Sequence, residues 1–130
     1  MKAVDTNVLA RFLLRDDDEQ ARLAETVLAK PVWVTTSVWL ELGWVMGKQL
    51  NLQRQTLADM LEALLELETI NTADGAGLRW AVDRLRAGAD WADVVHLISA
   101  SGNAATFCTF DAKLKRQAGS ASPVGIEHIV

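Results

Sequence analysis

The chain has 130 residues, of which 50% are hydrophobic, so it is long enough to form one domain with a sizeable core. Its net charge of −4 argues against phosphate binding through a uniformly basic surface; a nucleic-acid role would need a metal ion or a local basic strip. The lone cysteine, Cys108, excludes an internal disulfide and favours a reducing compartment. We predict a cytoplasmic protein, because the N-terminus lacks a signal-peptide pattern and no apolar stretch reaches membrane-spanning length.

Apolar strand-like runs and helical patterns alternate through the first half of the chain. Residues 2–4 are predicted as a short buried strand that leads directly into the sequence Asp-Thr-Asn and a helix. Acids favour the first turn of the second helix, and Pro31 ends it. The predicted strands here are 2–4, 32–35 and 68–71, and the predicted helices are 8–14, 16–30, 38–48 and 52–67.

The second half continues the alternation. Asp74 is predicted to cap a helix that Gly88 ends, and a further helix covers residues 90–101. Residues 105–109 are apolar without alternation, which predicts a fully buried parallel strand, and the last strand is predicted over 126–130. The pattern predicts an α/β domain over residues 1–130 with a parallel sheet covered on both faces. Cys108 is predicted as a buried structural thiol.

Four acidic residues lie where strand-like runs give way to helix-like runs: Asp5, Glu41, Asp93 and Asp111. Ligands of an open α/β sheet bind just beyond the carboxyl ends of its strands, so these carboxylates can converge there. Hard divalent cations such as Mg²⁺ take oxygen ligands and can promote attack on a phosphodiester. The alternative is that Asp5 caps a helix, Glu41 is simply exposed, and the other two acids cap helices or pair with Lys113 or Lys115.

The sequences around these acids resemble the PIN-domain family, and within it the VapC-type toxins of bacterial toxin–antitoxin systems. The segments that carry the resemblance are V-D-T-N-V-L at 4–9, S-V-W-L-E-L at 37–42, A-D-W-A-D-V-V-H-L at 89–97 and T-F-D at 109–111. Their order and spacing agree along essentially the whole chain. The resemblance implies a three-layer α/β/α fold around a central parallel sheet and an endoribonuclease that depends on Mg²⁺ or Mn²⁺. It also implies a homodimer and a cognate VapB-type antitoxin.

The resemblance matches the four acids to the family's acidic quartet. Asp5, Asp93 and Asp111 are expected to bind the principal ion directly or through water, while Glu41 positions a metal-bound water or a second ion. Asp90 is an additional acid often found beside the quartet, and it is as consistent with a helix cap as with a ligand.

Three further residues are expected to orient the acids. Thr6 and Asn7 match the motif that follows the first acid, and Asn7 is expected to bond the backbone at the helix start and so orient Asp5. Thr109 could hold Asp111 in the same way. These residues would support the metal ligands without binding the ion.

Other side chains have both a structural and a functional interpretation. His96 and His128 are expected to be structural or solvent-edge residues. Trp91, beside Asp90 and Asp93, is the one tryptophan that is a candidate for stacking on a base. Trp33 and Trp80 are predicted in the core, whereas Trp39 and Trp44 fit either a packing face or a subunit face. The predicted helices 38–48 and 52–67 carry more apolar surface than one small sheet can cover, which predicts a subunit interface that includes Trp39, Trp44, Val45 and Met46. The basic residues Lys113, Lys115 and Arg116 are consistent with either a phosphate grip or a solvated helix face.

Two other classes of protein fit part of the pattern. A response-regulator receiver domain also gathers acids beyond parallel strands and binds Mg²⁺, but it requires adjacent acids after its first strand, and here only Asp5 is present, followed by Thr-Asn. A PIN-like nuclease that is not a toxin, or a PIN-like scaffold that binds RNA without cleaving it, stays open.

Overall fold

Parallel strands alternate with helices in the computed structural model, which describes residues 1–130. Strands β1 (Lys2–Ala3), β2 (Val32–Trp33) and β3 (Ile70–Asn71) form a three-stranded parallel sheet in that order. Strands β4 (Thr106–Thr109) and β5 (Gly125–His128) form a two-stranded parallel sheet. The α-helices are α1 (Thr6–Leu14), α2 (Asp18–Leu28), α3 (Thr36–Trp44), α4 (Arg54–Glu66), α5 (Gly75–Arg86), α6 (Trp91–Ala100) and α7 (Leu114–Ala118). The predicted α/β class with parallel strands is confirmed.

Side-chain caps determine where five of the helices begin. The side chain of each cap residue accepts a hydrogen bond from a backbone N–H three residues later, which satisfies a donor that the helix itself leaves unpaired. The caps are Asp5, Asp17, Thr35, Asp74 and Asp90. The predicted cap at Asp74 is confirmed, whereas the first and third helices begin two residues earlier than predicted because Asp5 and Thr35 cap them.

The connection after α3 differs from a plain helix end. A π-helical segment, Val45–Gln49, extends α3, and Asn51 then turns the chain with a φ of 55° before α4 begins. The wider π-helical turn explains why the helical pattern runs past residue 44 in the sequence. The short helix α7 has only five residues and agrees with one of the two interpretations of the basic residues, a solvated helix face.

Most of the buried side chains belong to one core of 22 residues, formed by the helices and the three-stranded sheet. Trp39 and Met46 are fully buried there, so their prediction as exposed interface residues is wrong; Trp44 does stay 51% exposed. Trp33 is 36% exposed, so its prediction as a core residue is wrong, whereas Trp80 is half-buried and packs against the core. No helix combines the length and the apolar composition that a membrane crossing requires.

Strand β4 is not the fully buried strand that its apolar sequence predicts. Thr106 and Cys108 are exposed, while Phe107 and Thr109 between them are half-buried, so only one face of the strand packs on the protein. The prediction of a buried Cys108 is therefore wrong. Its thiol contacts the Glu127 carboxylate at 3.7 Å, and partial desolvation followed by the charge of Glu127 raises the pKa of the thiol.

Candidate active site

The first acid and Glu41 are linked through Thr6. Asp5 follows β1 and accepts the N–H of Val8 at 3.2 Å, so Asp5 itself, rather than Asn7 as predicted, makes the backbone bond at the start of α1. The next residue, Thr6, is buried, and its hydroxyl donates to the Glu41 carboxylate on α3. Because one oxygen of Glu41 is fixed in this way, the start of α1 sets the position of an otherwise exposed carboxylate.

A close contact joins α3, which carries Glu41, to α6, which carries Asp93. The indole of Trp91 lies directly against the backbone of Gly43, where an added Cβ would stand 2.0 Å from the Trp91 ring. The Trp91 Nε1–H also donates to the Trp39 carbonyl at 2.9 Å. Trp91 is thus a buried packing residue, and it is not available to stack on a base as the sequence suggests. Gly43 is two residues after Glu41 and Trp91 two before Asp93, so this contact fixes the spacing of the two helices that carry these acids.

The loop before α6 is held by Arg54, a residue without any signal in the sequence. Its guanidinium donates to the carbonyls of Leu85 at 3.0 Å and Ala89 at 2.6 Å, at the end of α5. Asp90, the residue after Ala89, accepts a hydrogen bond from the Asp93 N–H at 3.2 Å and caps α6. Asp90 therefore acts as a helix cap, one of the two roles that its sequence position allows.

Asp93 is the acid with the most perturbed electrostatics. It is partly buried near the start of α6, and desolvation, followed by the negative charges of Asp90 and Asp111, raises the pKa of its carboxyl group. The exposed His96 acts in the opposite direction and lowers that pKa. The fold thus brings Asp93, Asp90 and Asp111 within electrostatic reach of one another. None of the three forms an ion pair with a Lys or Arg side chain.

Asp111 lies in a tight turn after β4. Its N–H donates to the Thr109 hydroxyl at 3.0 Å, and its own carboxylate accepts the N–H of Lys113 at 2.9 Å. Thr109 therefore holds the backbone of Asp111, which is the supporting contact that the sequence suggests. The sequence-predicted basic residues Lys113, Lys115 and Arg116 are exposed around the start of α7.

The acids do not form a closed metal cage. No group of three or more His, Cys, Asp or Glu side chains stands at metal-binding distances, so Asp5, Glu41, Asp93 and Asp111 do not form a finished ligand shell. The donor set nevertheless fits a hard divalent cation, because every donor is a carboxylate oxygen and the like charges around Asp93 would be neutralised by such an ion. His128 stands apart, with a ring nitrogen 3.2 Å from the Phe110 carbonyl.

The fold is a parallel α/β domain in which the carboxylates of Asp5 and Asp111 follow strands β1 and β4. Proteins of this class can bind a divalent metal ion at the carboxyl ends of their strands. The PIN domain family model matches residues 2–120 of this chain. The protein therefore belongs to the PIN domain family, whose members are generally nucleases that use divalent metal ions. Comparisons with curated proteins and with solved structures give no match.

Proposed function

We propose that this protein is a metal-dependent endoribonuclease and that it acts as a VapC-type toxin. The observation that carries the proposal is that Asp90, Asp93 and Asp111 come within electrostatic reach of one another around the start of α6, and that no ion pair includes them. Groups kept in such an unfavourable arrangement are characteristic of functional sites. The membership of the PIN domain family supports the same class of chemistry.

Asp5, Asp93 and Asp111 would hold a Mg²⁺ or Mn²⁺ ion, with Glu41 and Asp90 beside it. When bound, the ion supplies a Lewis acid and lowers the pKa of water for attack on a phosphodiester. Thr6 fixes one oxygen of Glu41, which leaves the other oxygen able to accept a hydrogen bond from a water molecule.

The supporting residues hold the acids in place. Asp90 caps the turn that carries Asp93, and Thr109 anchors the backbone of Asp111, so two of the acids are set by hydrogen bonds within three residues of them. Asn7 is exposed beside Asp5 and would contact the substrate or the hydration shell rather than the helix backbone. In a preorganised site of this kind, little reorganisation is needed at the moment of reaction.

The toxin role requires a cognate VapB-type antitoxin. An Arg of the antitoxin placed among the acids would neutralise them through paired hydrogen bonds and keep the ion out. The half-buried Val8, Phe12 and Leu13 on α1 would offer apolar contacts to the same segment. We further propose a cytoplasmic homodimer that uses the exposed Trp44, which lines a cavity of about 200 Å³ between α3, α4 and α6, together with the exposed Leu50.

Chelation tests the nuclease proposal directly. Purified protein should cleave single-stranded RNA with Mg²⁺ or Mn²⁺, lose cleavage in EDTA, and regain it when either ion is restored. Cleavage that persists under chelation would contradict a metal-dependent mechanism and indicate acid–base chemistry instead.

Co-expression separates the toxin from a PIN nuclease with another role. The product of the neighbouring gene should form a stable complex with this protein and suppress its RNA cleavage, and replacing the inserted basic residue of that partner should restore cleavage. A complex that stays fully active, or the lack of any binding partner in the neighbouring gene, would refute the toxin role while the nuclease proposal stands.

A further inference from the structure

Phe110 is the most exposed aromatic side chain of the protein. It retains 79% of its possible exposure, compared with 51% for Trp44 and 36% for Trp33. It lies between Thr109 and Asp111, so the aromatic ring is presented to solvent one residue from a candidate metal ligand. A large apolar side chain has no packing role at such a position, since no part of the fold covers it.

The backbone that carries Phe110 is held on both sides. The Thr109 carbonyl accepts the N–H of Ile129 at 2.8 Å, and the Phe110 carbonyl lies 3.2 Å from Nε2 of His128. On the other side, the N–H of Asp111 donates to the Thr109 hydroxyl at 3.0 Å. The ring therefore extends from a fixed turn, and a phenylalanine has only two side-chain torsions left to order when a ligand binds.

Three cations follow Phe110 along the chain. Lys113, Lys115 and Arg116 are exposed, and none of the four ion pairs of the protein includes them. In a chain of net charge −4, these are three exposed cations within six residues of an exposed aromatic ring. Cationic groups that track a phosphate backbone, together with an aromatic ring on which a base stacks, form the usual surface for single-stranded nucleic acid.

We propose that Phe110 stacks on an unpaired base of the RNA next to the scissile phosphate, while Lys113, Lys115 and Arg116 contact the phosphates on that side. This inference rests on the proposed nuclease function, because Asp111 would place the reacting phosphate beside the ring. A base needs one aromatic face, and the chain neighbours of Phe110 are the polar Thr109 and the charged Asp111. The exposed apolar side chains of Ile129 and Val130 follow the adjacent strand, so a protein segment is the competing ligand that the test distinguishes. Phe110 would thereby select unpaired RNA and fix the position of cleavage relative to the stacked base.

The test combines variants of the ring with substrates that lack a base. Phe110→Leu keeps an apolar side chain without an aromatic face, and Phe110→Trp keeps the aromatic face. Leu23→Ala is the control: it removes another apolar side chain, 58% exposed, from α2, a helix without candidate acids. KM and kcat are measured on a single-stranded RNA with one mapped cleavage position, and on the same RNA with an abasic ribose at each flanking nucleotide in turn.

Phe110→Leu removes the aromatic face, and KM on intact RNA should rise by roughly five- to a hundredfold, the range that alanine substitution of stacking residues gives. Phe110→Trp and Leu23→Ala should keep the KM of the unmodified protein. At one flanking position the abasic substrate should bring the unmodified protein and Phe110→Leu to the same KM, because neither can then stack.

Three results would overturn the inference. The first is an unchanged KM for Phe110→Leu on intact RNA, and the second is a defect that persists with every abasic substrate. The third is a Phe110→Leu protein that cleaves RNA normally but no longer binds an inhibitory protein partner, which would assign the ring to a protein interface. In all three the unmodified protein still cleaves RNA, whereas an unmodified protein that neither binds nor cleaves RNA with Mg²⁺ or Mn²⁺ would refute the proposed function itself.

Discussion

The three-stranded sheet and the two-stranded sheet bury their residues in different ways. The helices around β1, β2 and β3 share a core of 22 buried residues, whereas β4 and β5 pack on a cluster of only four. The outer face of β4 is left to solvent, the turn after it carries Phe110 and Asp111, and the start of α7 carries the cations that no ion pair includes. One part of the molecule thus supplies most of the stability, and the other supplies a surface on which a ligand can lie.

Helix α6 joins the two parts. Val94 and Val95 pack in the large core, whereas Leu97 belongs to the small cluster. Asp93 comes directly before these residues on the same helix, and the charge of Asp111, from the other part, acts on it. The candidate site therefore lies at the junction, so substitutions there should separate effects on activity from effects on stability.

The largest expected effect is on catalysis at that junction. Asp93→Asn should lower RNA cleavage by roughly a thousandfold or more, equivalent to about 4 kcal/mol, because it removes a ligand charge. Its melting temperature in EDTA should be unchanged or higher, since the substitution also removes the repulsion between Asp93 and its acidic neighbours. Cleavage assays and thermal unfolding measure the two effects.

The matched control is Asp83→Asn, which removes an exposed acid from α5. It should change neither activity nor stability. If Asp93→Asn and Asp83→Asn cleave RNA equally well, Asp93 is not a metal ligand.

Substitutions in the two clusters should compare their contributions to stability. Leu61→Ala in the large core should lower the free energy of unfolding by about 3–5 kcal/mol, because a cavity among tightly packed neighbours cannot collapse. Leu114→Ala in the small cluster should cost about 2–3 kcal/mol, since fewer buried side chains surround it. Urea unfolding curves give both values. Equal or reversed losses would mean that the two-stranded sheet is as well anchored as the main core.

A smaller loss of stability is expected where α3 meets α6. Gly43→Ala should lower the free energy of unfolding by about 1–3 kcal/mol, because the new methyl group overlaps the Trp91 ring and forces the helices apart. RNA cleavage should fall as well, since Glu41 and Asp93 move relative to each other. Gly75→Ala is the control, because its nearest neighbour, Thr72 Cγ2, would lie at a normal contact distance of 3.9 Å. A fully active and stable Gly43→Ala protein would show that the spacing of α3 and α6 does not set the site.

The smallest effect is expected at Thr109. Thr109→Val removes the hydroxyl that accepts the N–H of Asp111, a bond worth about 0.5–1.5 kcal/mol, so cleavage should drop by roughly two- to tenfold. Thr109→Ser retains the hydroxyl and should restore most of the activity. The KM and kcat of both variants measure the effect; identical values for Val and Ser would indicate that the turn holds Asp111 without this bond.

Local sequence patterns predicted the features that depend on near neighbours. The cap at Asp74 was predictable because the cap residue directly precedes its helix. The positions of Asp5 and Asp111 were predictable because each lies within two residues of the end of a strand. The burial of β4 was not predictable in this way. Thr106 and Cys108 are exposed because no helix covers their face, and that depends on elements far away in the chain.

The contacts that shape the site are long-range. Thr6 and Glu41 are 35 residues apart, and Trp91 and Trp39 are 52 apart, so no periodicity in the sequence reveals either bond. Arginine at the start of a helix is usually a solvent-exposed residue, yet the Arg54 side chain hydrogen-bonds the Ala89 carbonyl and holds the loop before Asp90. The sequence identified which acids are candidates, and tertiary packing determines how they are presented.

The exposed thiol of Cys108 gives the protein a natural attachment point for a fluorescent or spin label. As the chain has a single cysteine, a maleimide reagent modifies one position without any prior mutation. The raised pKa of this thiol means that labelling proceeds faster in mildly alkaline buffer, where more thiolate is present. A label there would sit two residues before Phe110, so its emission or mobility would report directly on what occupies the outer face of β4.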